Sequence, residues 1–375
     1  MNSYKKLNLI TEEGQHFYYR DDLLSTNINE LEEFLEIFKN INNLDFVKKV
    51  LFSHELQANN LVEGYGDDLA IIESVIKRKT SQIKDENQKK RILNLYRAYQ
   101  YILKHRRINE ESLKSVYNIL SKDLLTSNEL DRMGEYYRLD KVFILKNGRL
   151  DMELEEGVNS DDIQFLIEKY FDFINNSEFN NSITDNYLKS QIMHFYLVYI
   201  HPYYDVNGRT SRTISLWELI NKKAYPYIIF NRGIRGSKYD ALIRECKVRK
   251  DLTKFLNYML ETVKLELEKE YIMESIASNT ASKLNSIDYQ TLLYFLSMNG
   301  LKTVSDFATY YNYLNDKKSI KEIYNEMILP LIEKDVLVVE RYTKNNMYED
   351  NSNMVLMLNQ SKIDLDSTRI RRIKL

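Results

Sequence analysis

The sequence holds one cysteine, Cys246, only three prolines, and almost no net charge, −2 over 375 residues. A lone cysteine makes no internal disulfide and supplies no zinc site, so Cys246 is read as packing near a helix. Scarce proline leaves helices uninterrupted. With 43% hydrophobic and 29% charged residues, the composition is that of a soluble, mainly α protein of two or three domains. There is no uncharged apolar run of about 18 residues, which excludes a membrane-spanning helix. The start, Met1-Asn-Ser-Tyr-Lys-Lys6, has no apolar signal core, so retention in the cytoplasm without membrane contact is expected. With 53 basic against 55 acidic residues, the chain as a whole has no bias toward nucleic acid, and any such contact must come from a local patch.

What is present is concentrated in His201-Pro-Tyr-Tyr-Asp-Val-Asn-Gly-Arg-Thr-Ser-Arg212. Here an apolar helical run stops and another begins. Pro202 cannot continue the helix that carries His201, Asp205 and Asn207 favour turns and caps, and Gly208 relaxes the backbone. The next helix is expected to start near Asn207, with its free N–H groups and positive dipole end facing the turn. Such an end binds anions, and Arg209 and Arg212, one helical turn apart, add two charged forks beside it.

This stretch closely resembles the active-site motif of the Fic family, His-x-Phe-x-(Asp/Glu)-Gly-Asn-Gly-Arg-x-x-Arg, whose members move the AMP part of ATP onto protein hydroxyls. The departures are Tyr203 for phenylalanine and Val206 for glycine, the latter a β-branched residue at a phosphate-binding turn. The resemblance implies His201 as general base toward a Tyr, Thr or Ser hydroxyl of a target protein. It implies Asp205 as the Mg²⁺ ligand, Asn207, Gly208 and Arg209 as the cradle for the α- and β-phosphates of ATP, and Arg212 on the γ-phosphate. A hard ion such as Mg²⁺ prefers carboxylate and phosphate oxygens, and an imidazole takes a proton near neutral pH without a large shift.

Upstream, Asn59-Asn-Leu-Val-Glu63-Gly64 ends an amphipathic segment beginning near Leu44. Read alone, Glu63 is a solvated carboxylate at a helix C-terminus capped by Gly64. The stretch also resembles the family's inhibitory motif, (Ser/Thr)-x-x-x-Glu-(Gly/Asn), with Asn59 in the Ser/Thr place. That implies a pairing of Glu63 with Arg212 that competes with the γ-phosphate.

Helices are expected over Asn87 to His105, Asn109 to Leu125, Ser160 to Asn175, Asn186 to Ile200 and Leu252 to Ile276, from apolar residues three and four apart. The first 50 residues read as helical mixtures without chemistry. Gly134-Glu-Tyr-Tyr-Arg138 resembles the segment ahead of the family's flap. Asn147-Gly148 after a β-prone run is a hairpin signal, which places the implied target-binding flap near Val142 to Leu150. His194, two turns before His201, reads as a structural histidine. Ile229 to Tyr239 resembles the base-pocket segment, with Tyr239 as either a stacking residue or the opening of the following helix.

The expected fold is mainly α: a Fic-type helical core with a β-hairpin flap, then a small α+β winged helix-turn-helix domain. The expected divisions are 1–110 for an N-terminal helical region with the inhibitory helix, 111–276 for the core, 277–286 for a linker, 287–360 for the winged-helix-like domain and 361–375 for a basic tail. The third helix of that last domain mixes Lys317, Lys318 and Lys321 with Glu322, Glu326 and Glu333. It lacks a clear basic stripe, so protein docking or a homodimer contact is favoured over DNA. Two other functions stay open: removal of AMP from a modified target, with Glu63 activating water, and a DNA-binding regulator with a nucleotide-sensing core.

Overall fold

The computed structural model describes residues 4–25, 28–32, 55–65, 67, 69–76, 83, 85–144, 155–175, 179, 182–223, 237–298, 302–314, 317–343 and 351–363. The chain is mainly helical with small antiparallel sheets. It divides into two compact units, the first ending at Lys264 and the second continuing from Leu265.

The first unit opens with β1 (Tyr4–Ile10) and β2 (His16–Arg20), an antiparallel pair with a register shift between Lys6 and Ile10. This corrects the helical reading of the N-terminal stretch. Leu7 and Leu9, and likewise Phe17 and Tyr19, are buried at alternate positions, the period of a half-buried strand. Phe17 meets Phe195 edge to face at 5.3 Å, and Ile10 accepts a hydrogen bond of 2.7 Å from the Tyr196 hydroxyl, so the hairpin packs on the central helix.

The helices that follow begin where short polar residues can hold free N–H groups. Helix α1 covers residues 55–62. Asp85 caps α2 (Glu86–Lys104), an Asn109/Ser112 capping box starts α3 (Glu110–Ser121), and a Ser182/Asp185 box starts α5 (Ile183–Ile200), which follows α4 (Ile163–Asn175). Next come α6 (Asn207–Asn221), α7 (Ser237–Arg249) and α8 (Thr253–Asn279), in which the division between units falls.

Helices α5 and α6 form the centre. The sequence pattern pointed to one apolar face on α5, yet the helix is buried almost all round. On α6 every residue from Arg209 to Ile220 is buried, polar ones included. This is tolerable because Thr210, Ser211, Thr213 and Ser215 return their hydroxyls to carbonyls of the same helix or its N-cap at 2.8 to 2.9 Å. The remaining charges pair: Lys189 of α5 lies 2.8 Å from Glu218 of α6 and donates to the Ile174 carbonyl at 2.7 Å. Breaking such a buried pair from one side costs about 3–5 kcal/mol, so it fixes the two helices against each other.

Ahead of α4, β3 (Phe143–Ile144) pairs antiparallel with β4 (Glu155–Glu156). The Asn147-Gly148 turn between these strands, the start of the inhibitory segment near Leu44 and the stretch Ile229 to Gly236 lie outside the described residues, as does most of the basic tail.

The second unit runs α9 (Ser286–Ser297), α10 (Val304–Leu314), α11 (320–333), β5 (Leu337–Tyr342) and β6 (Met354–Leu358), the two strands antiparallel. Within α11, Tyr324–Ile328 widens to a π turn. Pro330 follows it and has no N–H to give the residue 326 carbonyl, which breaks the ordinary ladder there. Leu292, Phe295, Phe307, Ile323, Leu331 and Leu337 form this unit's core. No helix among the described residues is long and apolar enough to cross a membrane.

Candidate active site

His201 is the C-cap of α5 and takes a left-handed backbone, φ 50 and ψ 59. Pro202 forces this exit, since the helix cannot continue through it. The turn then closes on itself. Asn207 accepts from the Tyr203 N–H at 3.0 Å and donates to the Tyr203 carbonyl at 2.8 Å, a two-way bond across the loop. Tyr203 lies beneath, its ring stacked on Tyr117 at 3.6 Å and nearly parallel. The substitution of tyrosine for phenylalanine is thus absorbed in a stack of aromatic rings, with its hydroxyl buried.

Val206 is the N-cap of α6 at φ 64 and ψ 9. A left-handed backbone strains an L residue by about 1–2 kcal/mol, more readily a β-branched one. Asp205 offsets part of that by accepting the Val206 N–H at 2.6 Å. The side chain of Val206 is buried, so packing holds the turn where glycine would relax it.

Helix α6 therefore starts at Asn207, as the sequence implied, and the first amides of the helix have no partners within it. Arg209 is buried, its Nε without a hydrogen-bond partner and its nearest carboxylate, Asp205, 3.8 Å away. An orphaned buried guanidinium nitrogen beside a helix N-terminus suits an anion.

Arg212 is also buried. Its Nε donates to Asn59 Oδ1 at 2.7 Å, and its Nη2 reaches both the Asn59 carbonyl, at 3.3 Å, and the Glu63 carboxylate. A Cβ on Gly208 would collide with Glu63 Oε1 and stand 3.0 Å from Arg212 Nη1. The Glu63 carboxylate thus occupies the space between the Arg212 guanidinium and the start of α6, a position that only glycine leaves open. Burial opposes the charge on Glu63, but Arg212 and Arg209 outweigh it and hold its pKa below the usual carboxylate value. Gly64, at φ 86, ends the inhibitory segment in the left-handed cap expected of glycine, with its N–H bonded to the Leu61 carbonyl at 2.9 Å.

Burial, with the Lys247 and Arg138 charges behind it, pushes the His201 imidazole down to about 3, against the pull of the Val198 carbonyl and Glu63. The ring is therefore neutral, able to accept a proton. Tyr239 opens α7 within reach of the same charges, but it is buried, its hydroxyl bonded to His194 and its ring 6.3 Å from Phe255. Both His194 and Tyr239 thus take part in the packing that carries α7 against α5.

Asp205 is the one sequence-picked metal ligand. Its side chain is 55% exposed, and with Oδ1 on the Val206 N–H, Oδ2 faces solvent beside Arg209. Among the described residues no group of three or more His, Cys, Asp or Glu could hold a metal. One carboxylate with phosphate oxygens and water is a fitting set for Mg²⁺, which seldom takes an all-protein cage.

Sequence reasoning gave Arg138 no role. Its guanidinium is buried and donates to three carbonyls: His201 at 2.9 Å, Asp140 at 2.6 Å and Val158. Its own N–H reaches the Pro202 carbonyl at 3.0 Å. Arg138 ties the base of the flap to the turn at His201. The only signal was its place in Gly134-Glu-Tyr-Tyr-Arg138.

Residues 107–219 match the Fic/DOC family. The chain is 35% identical over 82 residues to a protein adenylyltransferase Fic of Drosophila willistoni, covering 22% of this chain and 16% of that protein. It is 32% identical over 81 residues to the one from Drosophila grimshawi, with the same coverage of 22% and 16%. The chain thus matches about a sixth of the length of these curated relatives. Among solved structures, a Fic family protein from Desulfovibrio desulfuricans G20 superposes with a TM-score of 0.54 at 15% identity, over 90% of this chain and 95% of that one. Fic-1 from C. elegans superposes with a TM-score of 0.53 at 14% identity, over 66% of this chain and 71% of that one. At such identities the structural likeness concerns the fold.

Proposed function

Starting from a chain that carries a Fic/DOC family domain over residues 107–219, we propose that it transfers AMP from ATP to a hydroxyl of a target protein and is held inactive by Glu63. The observation that carries this reading is the Glu63 carboxylate on Arg212, against the Cα of Gly208. A carboxylate held there marks an anion position built from a helix N-terminus and a guanidinium, and a phosphate has the same needs.

With Glu63 withdrawn, the triphosphate lies along the start of α6. The amides near Asn207 and Gly208, with Arg209, hold its inner phosphates, and Arg212 takes the γ-phosphate. Asp205 would hold Mg²⁺, which supplies charge neutralisation on the phosphate oxygens. His201 accepts the proton of the attacking hydroxyl. Its low pKa in the free protein rises once anionic phosphates stand beside it, which brings the base toward its useful range. The hydroxyl attacks the α-phosphorus in line and the α–β phosphoanhydride breaks to release pyrophosphate, so catalysis rests on alignment and charge stabilisation. The flap strands at Phe143–Ile144 and Glu155–Glu156 offer a backbone edge for the target segment. A second activity at the same site is hydrolysis: Glu63 activates water, which attacks the phosphorus of a modified target and releases AMP and the free hydroxyl.

The C-terminal unit, read as a winged helix, serves docking to protein rather than DNA. In that unit Lys318 pairs with Glu326 of α11 at 2.6 Å, which spends a cation a DNA reader would present.

Incubation with α-labelled ATP and Mg²⁺ tests the reading. Glu63→Gly should raise label in the protein or a partner at least tenfold, by freeing a charge-assisted contact. Equal labelling of both proteins while ATP still binds removes the inhibitory role, and release of AMP from a modified target by the wild type but not by Glu63→Gly favours hydrolytic AMP removal.

A further inference from the structure

Asn59 stands where the inhibitory motif it resembles has serine or threonine, and the structure gives it a task distinct from that of Glu63. The guanidinium of Arg212 has two edges that can grip an oxygen pair. On its Nε–Nη2 edge, Asn59 accepts from Nε through Oδ1 at 2.7 Å and from Nη2 through its backbone carbonyl at 3.3 Å. Its Nη1–Nη2 edge faces Gly208, where the Cβ position of that residue lies 3.0 Å from Nη1 and 3.3 Å from Nη2. Glu63 shares Nη2 with the Asn59 carbonyl and lies against Gly208 toward this second edge, while Nε goes to Asn59.

Asn59 is in turn held from behind. Its Nδ2 donates to the Tyr99 hydroxyl at 3.1 Å, so the amide is fixed in one orientation, oxygen toward Arg212 and nitrogen toward α2. Tyr99 shares a face of α2 with Leu95 and Arg91, at four-residue spacing. Tyr99 and Leu95 are buried, and the Arg91 guanidinium lies 3.7 Å from the centre of the Tyr65 ring, just past Gly64. The α2 face thus holds the segment at Asn59 and again at Tyr65, on either side of Glu63.

We propose that Asn59, oriented by Tyr99, is a positioning residue for Arg212 that serves the active protein as well as the inhibited one. It anchors the rear edge of the guanidinium so that the front edge is aimed at the anion position, whether Glu63 or a γ-phosphate sits there. Activation then removes only the Glu63 carboxylate from the front edge while α1 stays docked. The segment that carries the brake also completes the nucleotide site. This rests on the proposed role of Arg212 as the γ-phosphate contact.

The test is binding of ATP against ADP, in Mg²⁺, to four full-length proteins: wild type, Glu63→Gly, Glu63→Gly with Asn59→Ala, and Glu63→Gly with Tyr99→Phe. Only ATP has the γ-phosphate, so loss of aim at Arg212 should show in ATP and spare ADP, whereas general loosening of the fold lowers both. Glu63→Gly should prefer ATP over ADP where the wild type does not. Adding Asn59→Ala should cut that preference about tenfold, the scale of a hydrogen bond to a charged group. Tyr99→Phe deletes one hydroxyl, keeps the Asn59 contacts and should cut the preference by about threefold, which guards against an Asn59→Ala protein that fails to fold. An unchanged preference in both double variants, or a stronger one, overturns the positioning role and makes Asn59 part of the brake. If Glu63→Gly itself gains no ATP preference over wild type, the reading of Arg212 fails first, and this role with it.

Discussion

Two helix ends meet at Arg212 and are held in opposite ways. The start of α6 is entered through Val206, a buried β-branched residue at φ 64. The end of α1 is left through Gly64 at φ 86, with nothing within 4 Å of where its Cβ would be. One end stores strain and survives because buried contacts surround it: the Tyr203–Asn207 bond pair, the Tyr117 stack and the Lys189–Glu218 ion pair. The other is relaxed and exposed at Glu63 and Gly64, although the helix before it buries Leu56, Ala58 and Leu61. The difference teaches which part of the site can move. The turn at His201 is fixed by the core, while the Glu63 carboxylate proposed to block it sits at the exposed end of its helix.

The comparison can be broken first at the rigid end. In the Glu63→Gly background, His201→Ala should lower AMP transfer about a thousandfold, within the span of a lost general base. A variant that still labels at the parent rate removes His201 from the chemistry. Next in size, Lys189→Met leaves the Glu218 carboxylate buried alone and should lower unfolding free energy in urea by about 3–5 kcal/mol. Joining it with Glu218→Leu should restore most of that loss, and a full loss in the double variant would mean that the pair matters for shape and not charge.

At the movable end the effects should be smaller and appear as activity rather than stability. Gly64→Ala puts a Cβ on a left-handed residue in open space, a penalty of about 1 kcal/mol borne only while the segment is docked. Basal labelling should rise about fivefold, with little change in the thermal midpoint of the unit. A larger loss of stability than gain in labelling would show that the Glu63–Gly64 end is held as rigidly as the buried part of α1.

The smallest expected signal is in pH. His201 in the folded protein stays neutral down to about 3, whereas an unfolded histidine binds its proton near pH 6.5. Between these values the unfolded chain carries the extra proton, so stability falls as pH drops from about 6.5 toward 3. The His201→Ala protein lacks this contribution, and its thermal midpoint should decline less than the wild type's between pH 7 and pH 5. Glu63 has the same sense, since its pair with Arg212 is also lost only as pH falls, but in a lower pH range. Its depressed pKa keeps the Arg212 pair intact even down into the ordinary carboxylate range, so the labelling ratio of Glu63→Gly to wild type should be flat from pH 6 to 8.

The helices and the catalytic turn were legible before the fold was known, because a run of apolar residues three and four apart, a Pro202 that stops a helix and an Asn207 that opens one act over a few residues. The N-terminal hairpin was missed although Leu7, Leu9, Phe17 and Tyr19 alternate, since the strands are short and carry charged residues among them. Arg138 was seen as part of a segment but not as a clamp, and Tyr99 was one tyrosine on a scaffold helix.

By itself the sequence determined the local chemistry: a neutral-range base ending one helix, an anion-binding start to the next, and two guanidiniums one turn apart. No short stretch shows what faces Arg212: the Glu63 pairing came only through the family resemblance, and the Asn59 contacts only through the tertiary structure. Glu63 lies 149 residues away in the chain and Asn59 lies 153 away, and both reach it through the packing of α1 on α2. Backbone geometry and capping are set by neighbours in sequence, so they can be read from a short stretch. The partner of a buried charge is chosen by which helices share a core, and that choice is written across the whole chain.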